Sequence, residues 1–294
     1  MSQDDFFLTN LELRESNEEG EVAAGLSHDS MKGMALLSVL ELAARGVPRG
    51  AVTIIHDAGD VGERYRSLAS VLAGEGWAVA LPDLRGHGRS EGERGHSAGL
   101  REVERDLGEI QDHLAYRMPD APKVLVGVGL GALYGAHFAL SRPGTLAGLV
   151  LANPLASIPF APPEQPKGFS KFFKKVTGAS MGTTGYTGSL LSGDGEVAAE
   201  WDANPLTHDR ISLRAIEEAG RALNESMPRL TELDCPTLVL RGNGLAGNAE
   251  FATSEGLEVI DLDGLGHHLF QGSDASRAND ALSKWLNRVL PAPE

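Results

Sequence analysis

The stretch from Lys123 to Leu140 reads KVLVGVGLGALYGAHFAL and combines the signals of a strand, a tight turn and a helix. Its apolar opening is followed by glycines at Gly127, Gly129 and Gly131, and then by apolar residues at helical spacing. Short apolar runs bounded by glycine are typical of buried strands, and glycine permits the backbone conformations that a very tight turn needs. We therefore predict a buried strand, a sharp turn centred on Gly129 and a buried helix.

Segments on both sides of this turn alternate between predicted strands and predicted helices. Such alternation, with short glycine-containing connections, is typical of a mostly parallel sheet flanked by helices. We predict strands at 34–44, 51–55, 77–81, 146–152, 237–240 and 257–262, and helices at 64–73, 100–116 and 275–290.

The alternation stops at Pro154, where proline-rich and glycine-rich segments begin. We predict an inserted cap over residues 154–230, containing two helices and a basic amphipathic segment. The core would then consist of residues 32–153 and 231–294. Residues 1–31 are polar and acidic, and we expect an N-terminal arm that is loose or forms a short edge strand.

The composition restricts the classes of partner. The chain has 26 Lys and Arg against 41 Asp and Glu, a formal net charge of −15, which repels phosphate backbones and anionic membranes. We expect no nucleic-acid partner and no membrane span. The N-terminus MSQDDFF lacks the basic-then-apolar order of a signal peptide, and the single cysteine, Cys235, excludes an internal disulfide. We expect a soluble cytoplasmic protein with Cys235 buried.

The turn at Gly129 has a chemical counterpart in one class of α/β proteins. There the pattern G-x-S-x-G holds a nucleophilic serine above the sheet, and in this chain Gly129 stands at the serine's place. Glycine has no side chain, so no alkoxide can form at this position.

A longer passage carries a family resemblance. Residues 64–96 read RYRSLASVLAGEGWAVALPDLRGHGRSEGERGH, and the segments SRPGTLAGLVLANP, ANPLTHDRIS and PTLVLRG follow. From about Gly50 onward the chain resembles α/β-hydrolases of the monoacylglycerol lipase, or serine aminopeptidase-like, family. The resemblance implies an α/β-hydrolase fold with a lid, no cofactor or metal, and a Ser-His-Asp triad in active members. It also implies that Arg85, His87 and Arg89 are structural.

Carried over residue by residue, the family's triad is incomplete in this chain. The serine falls at Gly129, and the acid, usually part of a G-x-x-D pattern, falls at Leu245. The histidine matches His267, with His268 beside it. The segment between Leu245 and the last strand is also shorter than in the family, and Glu250 and Asp263 are the carboxylates that we consider as replacements for the acid.

The family's oxyanion donors have matching positions. They would be the backbone N–H groups of Leu130, directly after the turn, and Ala58, in the loop HDAGD. The family's HG pair in that loop has become His56-Asp57. Together with His268, these two residues are our candidates for lining a pocket near the turn.

Loss of the nucleophile and the acid predicts a pseudoenzyme that binds a small apolar or acyl ligand or a protein partner. A residue with a β-carbon is strained at the turn by about 1–3 kcal/mol, and glycine relieves that strain while keeping the turn. The alternative is a weak or atypical carboxylic ester hydrolase that uses His267 with an unidentified nucleophile. Tyr134 on the following helix is a poor candidate because it is expected to pack inside.

Other readings of these residues stay open from the sequence alone. Gly127-x-Gly129-x-x-Ala132 also fits a dinucleotide fingerprint, although that site needs an acid where the chain has Asn153. The histidines near the turn, with Asp57, could converge on a metal. Residues 167–175, KGFSKFFKK, are typical of a cap helix but could also contact a membrane or an acidic partner. The turn also resembles that of the non-enzymatic N-myc downstream-regulated proteins.

Overall fold

The computed structural model describes residues 5–14, 34–97, 99–163, 180–245, 247 and 254–291. In these ranges the chain forms an eight-stranded sheet in the order β1-β2-β4-β3-β5-β6-β9-β10 and a two-stranded sheet formed by β7 and β8. In chain order the strands are β1 (Phe7–Arg14), β2 (Met34–Leu42), β3 (Gly50–Ile55), β4 (Trp77–Pro82), β5 (Lys123–Val128), β6 (Gly148–Ala152), β7 (Met181–Thr183), β8 (Arg210–Ser212), β9 (Thr237–Arg241) and β10 (Leu257–Asp261).

Seven α-helices fall within the described ranges, and a 3₁₀ turn (Gly62–Tyr65) leads into the first of them. A second 3₁₀ segment (Met227–Glu232) connects the cap to β9. The helices are α1 (Arg66–Gly74), α2 (Leu100–Arg117), α3 (Leu130–Ser141), α4 (Gly188–Leu191), α5 (Gly195–Ala203), α6 (Leu213–Ser226) and α7 (Ala275–Val289).

The sheet is mostly parallel, as predicted. Strands β4, β3, β5, β6, β9 and β10 pair in parallel, and β2 joins β4 antiparallel. The central strands are buried on both faces because helices cover both sides, and a separate apolar cluster lies on each face. The fold class predicted from the alternating pattern is therefore confirmed.

The N-terminal segment forms an edge strand over its described part. Strand β1 pairs antiparallel with β2 along its full length, from Phe7 opposite Glu41 to Arg14 opposite Met34. Of the two alternatives expected for this segment, a loose arm or an edge strand, residues 7–14 form the edge strand, and Leu11 and Leu13 pack against the core. Residues 15–33 lie outside the described ranges.

The segment that we predict to be a cap, residues 154–230, carries more regular structure than the two helices expected, and we call it the cap segment. Its described part contains α4, α5 and α6 together with strands β7 and β8. The basic segment at 167–175 lies outside the described residues. Cys235 is buried, as expected, and burial raises the pKa of its thiol to about 11. Within the described residues, no helix is long and apolar enough to cross a membrane.

Two glycines beside the turn allow α3 to approach the sheet closely. A Cβ at Gly127 would lie 2.6 Å from the Cα of Ala132, and a Cβ at Gly131 would lie 2.5 Å from the carbonyl oxygen of His56. The backbone of α3 therefore packs directly on β3 and β5. This contact brings the first turn of α3 beside the loop that follows β3.

Candidate functional site

The centre of the site is the turn between β5 and α3. Gly129 has φ 54° and ψ −113°, and its N–H donates to the carbonyl of Ala152 at 3.0 Å. Glycine adopts this left-handed conformation without strain. A Cβ placed on Gly129 would lie 2.3 Å from both Cγ and Oδ1 of Asp57. The space into which a nucleophile would project is therefore occupied by the Asp57 carboxylate.

Three donors hold that carboxylate. Its Oδ1 accepts hydrogen bonds from the backbone N–H groups of Ala58 and Leu130, each at 2.7 Å. Its Oδ2 lies 2.7 Å from Nε2 of His267. Asp57 and His267 are 210 residues apart in the sequence and are each 1% exposed. The two amides that the sequence assigns to an oxyanion thus bind an anion that belongs to the chain itself.

The hydrogen-bond pattern assigns the tautomer of His267. The backbone N–H of Leu245 points at Nδ1 at 3.4 Å, so Nδ1 acts as the acceptor. The proton then resides on Nε2 and is donated to Asp57. In a working triad the assignment is the reverse: Nδ1–H donates to the acid, and Nε2 accepts from the nucleophile. At Nδ1 of His267 a backbone amide donor therefore takes the part that a carboxylate acceptor plays in a working triad.

Of the two replacement acids considered from the sequence, the described structure includes only Asp263, which does not contact His267. Asp263 is exposed, and its carbonyl accepts from Arg277. Glu250 lies outside the described residues. The position of Leu245 is consistent with a vacated acid, because this residue presents its backbone and not a carboxylate to His267.

The charge of Asp57 is stabilised despite its burial. Desolvation by itself raises the pKa of Asp57. The hydrogen bonds that Asp57 accepts from His267 and from the N–H of Leu130 are among the interactions that outweigh this effect, and the pKa lies below its usual range. Asp57 is therefore a carboxylate at neutral pH, held in a water-excluded site by directed donors.

Asn153 fixes the loop that carries the histidine, a role that the sequence analysis did not foresee. Its Nδ2 donates to the carbonyls of His267 at 2.8 Å and Gly266 at 3.1 Å, and its Oδ1 accepts from Gly242 N–H at 2.7 Å. Its φ of 43° is a conformation that asparagine tolerates better than most residues. The amide ties together the loops after β6, β9 and β10. The sequence signal, an Asn directly after a buried strand, gives no indication of these partners.

His56, one of the pocket candidates, is a structural residue. Its Nδ1 donates to the carbonyl of Asp57 at 2.7 Å, and its Nε2 accepts from the N–H of Leu84 at 2.9 Å. Its ring centroid lies 4.9 Å from that of His87, which in turn lies 4.9 Å from that of His208 in the cap. Burial holds the pKa of His87 well below its usual range, with the neighbouring His56 and His208 adding to the effect.

His268 faces away from the turn toward a buried ion pair. Its Nε2 lies 3.8 Å from Oδ2 of Asp60, which also accepts from Tyr65 Oη at 3.0 Å. Asp60 pairs through Oδ1 with Nε of Arg64 at 3.0 Å. Burial lowers the pKa of His268 to about 4, so this histidine is neutral at physiological pH.

The residues of the RGHGRS motif support the loops around the site. Arg85 donates to both oxygens of Asp106, at 3.0 Å from Nε and 2.7 Å from Nη2. Arg89 contacts Glu63 at 2.8 Å. These bonds are consistent with the structural role that the resemblance implies for Arg85, His87 and Arg89.

A small cavity lies beside the turn, under the cap. It measures about 30 Å³, and its lining includes Ala58, Leu130 and Tyr134 from the core and Ile211 from the cap. The described lining of this cavity does not include His56, Asp57 or His268, so their role as pocket-lining residues stays a prediction. In the described structure the polar atoms of the two histidines face neighbouring loops, and the Asp57 carboxylate lies over the turn.

The competing interpretations gain no support from this geometry. Asn153 makes backbone contacts at the place where a dinucleotide site needs an acid. Across the described residues, no group of three or more His, Cys, Asp or Glu side chains could hold a metal ion. Tyr134 is buried on α3, and burial raises the pKa of its hydroxyl, which disfavours a phenolate nucleophile.

Comparison with known proteins agrees with the fold and the motifs. Residues 46–244 match the family model described as serine aminopeptidase, S33. The chain is 27% identical over 252 residues to a monoacylglycerol lipase of Mycolicibacterium smegmatis, covering 81% of this chain and 88% of the relative. It is 29% identical over 206 residues to human monoglyceride lipase, covering 67% of this chain and 66% of the relative.

A solved structure shares the fold at lower sequence identity. A soluble variant of monoglyceride lipase from Saccharomyces cerevisiae, in complex with a substrate analogue, superposes with a TM-score of 0.74 at 16% identity. The superposition covers 95% of this chain and 99% of the yeast protein. The family match, which spans more than half of the sequence, and this shared architecture lead to one assignment: the chain belongs to the serine aminopeptidase S33 family of α/β-hydrolases and is similar to monoacylglycerol lipases.

Proposed function

We propose that this protein is a catalytically inactive member of its family, a pseudoenzyme of monoacylglycerol lipase type. The observation that carries the proposal is the Asp57 carboxylate, which lies over Gly129 and accepts from both amides at 2.7 Å. An enzyme of this class keeps that space for a serine and its bound substrate.

Each requirement of acyl transfer fails for a separate physical reason. Gly129 offers no oxygen to attack a carbonyl carbon. The amides cannot stabilise a developing oxyanion, because a permanent anion already uses them. His267 cannot accept a proton at Nε2, because that atom carries the proton donated to Asp57. An unidentified nucleophile would also need His267 as its base, and Nε2 of His267 already donates to Asp57.

The size of the cavity favours a protein partner over an acyl ligand. About 30 Å³ is room for one or a few waters, whereas pockets for small-molecule ligands usually measure roughly 300–1,000 Å³. Beside the turn, the cap segment is joined to the core by a hydrogen bond from His208 N–H to the carbonyl of Gly59 at 2.9 Å. We therefore propose that the protein acts through its surface, as an interaction scaffold.

The test is a hydrolysis assay on the wild-type protein. We expect no turnover of p-nitrophenyl butyrate or a monoacylglycerol above that of the His267→Ala variant, and no labelling by a fluorophosphonate. The monoacylglycerol lipase of Mycolicibacterium smegmatis, run in parallel, is the positive control. Turnover that the His267→Ala change abolishes, or a covalent acyl or phosphonyl adduct on any side chain, would overturn the proposal.

A further inference from the structure

The donors around Asp57 come from three separate parts of the fold. Leu130 N–H belongs to the first turn of α3, Ala58 N–H to the loop after β3, and His267 Nε2–H to the loop after β10. The two backbone N–H groups donate to Oδ1 of Asp57, and His267 donates to Oδ2. A carboxylate is an ion that can satisfy all three donors at once, because it has two acceptor oxygens in one plane.

We infer that this constellation is a carboxylate-binding site whose resident ligand is the side chain of Asp57, and that removing the side chain creates a site for free acetate or formate. The inference rests on the proposed non-catalytic function, and it adds the chemical class that the site recognises. A bound carboxylate is also the product of ester hydrolysis, so Asp57 holds the site in a product-like state.

Bonds outside the Asp57 side chain hold these donors in place. Leu130 N–H is directed by the turn, in which Gly129 N–H bonds to Ala152 and Ala132 N–H bonds to Gly129. His267 is held through its backbone by Asn153 and through Nδ1 by the amide of Leu245. The donors should therefore keep their directions when the aspartate side chain is removed.

The loop after β3, which contains Asp57 and Ala58, is held in place by backbone hydrogen bonds of its own. Asp60 N–H bonds to the carbonyl of Asp57 at 3.2 Å, and His208 N–H bonds to the carbonyl of Gly59. Among the described non-glycine residues, only Asn153 has a positive φ. Asp57 therefore has an ordinary backbone conformation with a negative φ. Glycine fits this position, and Asp57→Gly also recreates the HG pair of the family.

The variant removes a fragment of matching size. The aspartate side chain is a CH₂–COO⁻ group, so Asp57→Gly deletes about the volume and charge of one acetate ion. The free ion can then occupy the same oxygen positions at the cost of its own immobilisation. Chloride has no second acceptor atom for His267, which is the basis of the expected selectivity.

The experiment is thermal unfolding of Asp57→Gly in sodium acetate and in sodium chloride of equal ionic strength. At about 100 mM acetate we expect the midpoint to rise by about 3 °C over chloride, because only the folded state binds the ion. Wild-type protein should show no difference between the salts. The Asp57→Leu variant fills the space without charge and should also show none.

A second readout identifies the bound ion directly. Line broadening of ¹³C-acetate by Asp57→Gly, reversed by unlabelled formate, is expected at the concentrations that shift the unfolding midpoint. If Asp57→Gly does not fold in chloride, refolding in acetate becomes the measurement, and Asp57→Ala with formate provides a smaller deletion and a smaller ion.

Three outcomes would overturn the inference: equal midpoints for Asp57→Gly in acetate and chloride, an equal acetate effect on Asp57→Leu, or failure of both small-residue variants to fold in any carboxylate. These results are independent of the hydrolysis assay on wild-type protein. A hydrolytically active wild type would defeat the proposed function, whereas a variant indifferent to carboxylates would defeat only the inference.

Discussion

At the scale of single residues, the substitutions at Gly129 and Asp57 depend on each other. With glycine at the turn, a carboxylate can lie directly above it, and the distance from a Gly129 Cβ to Asp57 Cγ would be 2.3 Å. With aspartate in the loop, any side chain at the turn would collide with it. The two positions are separated by 72 residues in sequence (129 − 57) but share one space in the fold.

We predict that Gly129→Ser alone gives no esterase activity and lowers the free energy of unfolding by about 2 kcal/mol or more. The serine meets Asp57, and its backbone at φ 54° costs about 1–3 kcal/mol. Adding Asp57→Gly should recover part of this loss by removing the collision. Chemical denaturation and p-nitrophenyl ester assays measure both effects.

The matched control for this series is Gly129→Ala, which adds the β-carbon without a hydroxyl. The triple variant Gly129→Ser, Asp57→Gly, Leu245→Asp supplies a nucleophile, an open anion site and a candidate acceptor for His267 Nδ1, so it is the first in which we expect turnover. A Gly129→Ser protein as stable as wild type would show that Asp57 moves away at little cost and would contradict the packing argument.

At the scale of secondary-structure elements, glycines in helices have opposite roles according to what lies beside them. Gly131 in α3 faces β3, with its Cβ position 2.5 Å from His56 O and 2.7 Å from Ile55 O. Gly220 lies inside α6, and a Cβ there would meet no described atom within 4 Å. The first glycine is required by helix–sheet contact, whereas the second only weakens its helix.

We predict that Gly220→Ala raises the free energy of unfolding by about 0.5–1 kcal/mol, because alanine restricts the unfolded chain and favours the helix. Gly131→Ala should lower it by about 1–3 kcal/mol, because the backbone of α3 must move off the sheet. Urea unfolding of both variants forms a matched pair. A stabilising Gly131→Ala would contradict the close approach of α3 to β3.

At the scale of the whole molecule, buried neutral histidines make stability depend on pH. His268 has a pKa lowered by burial to about 4, and the pKa values of His87 and His208 are lowered too. Between the lowered pKa of each histidine and the unfolded value of about 6.5, the unfolded chain binds a proton that the folded chain does not. Stability therefore falls as the pH falls through this window.

We predict that protonation of His268 makes the fold about 3 kcal/mol less stable at pH 4 than at pH 7, from a pKa difference of about 2.5 between the unfolded and the folded chain. In the described structure neither ring nitrogen of His268 has a hydrogen-bond partner. His268→Leu should therefore be nearly neutral at pH 7 and should flatten the pH dependence. Urea unfolding of wild type and variant at pH 7, 5.5 and 4.5 measures the free energy of unfolding at each pH. An identical dependence of this free energy on pH in the two proteins would contradict the prediction.

Below this window Asp57 acts in the same direction. Its folded pKa lies under the ordinary carboxyl value, so its contribution to stability is present above that ordinary value and is lost as the pH falls through the folded pKa. The histidines weaken the fold first and the carboxylate later. The net negative charge, −15 at pH 7, becomes smaller as the pH falls, and this change does not alter the order of the two effects.

The sequence by itself determined the fold class and predicted a turn without a nucleophile. Strand and helix periodicity, the glycine turn and the motifs of residues 64–96 are local patterns, and the contacts that produce them lie within a few residues of one another. The same local matching is the basis of the prediction that Gly129 stands at the nucleophile's position, Leu245 at the acid's position and His267 at the position of the base.

Only the tertiary structure decided what fills the vacated space. The sequence offered His56, Asp57 and His268 as equal candidates for lining a pocket, yet the fold directs Asp57 into the amides and turns the two histidines away. It also recruits Asn153, whose partners lie 89 to 114 residues away. Side-chain direction depends on loops brought together from distant parts of the chain, and no local pattern carries that information.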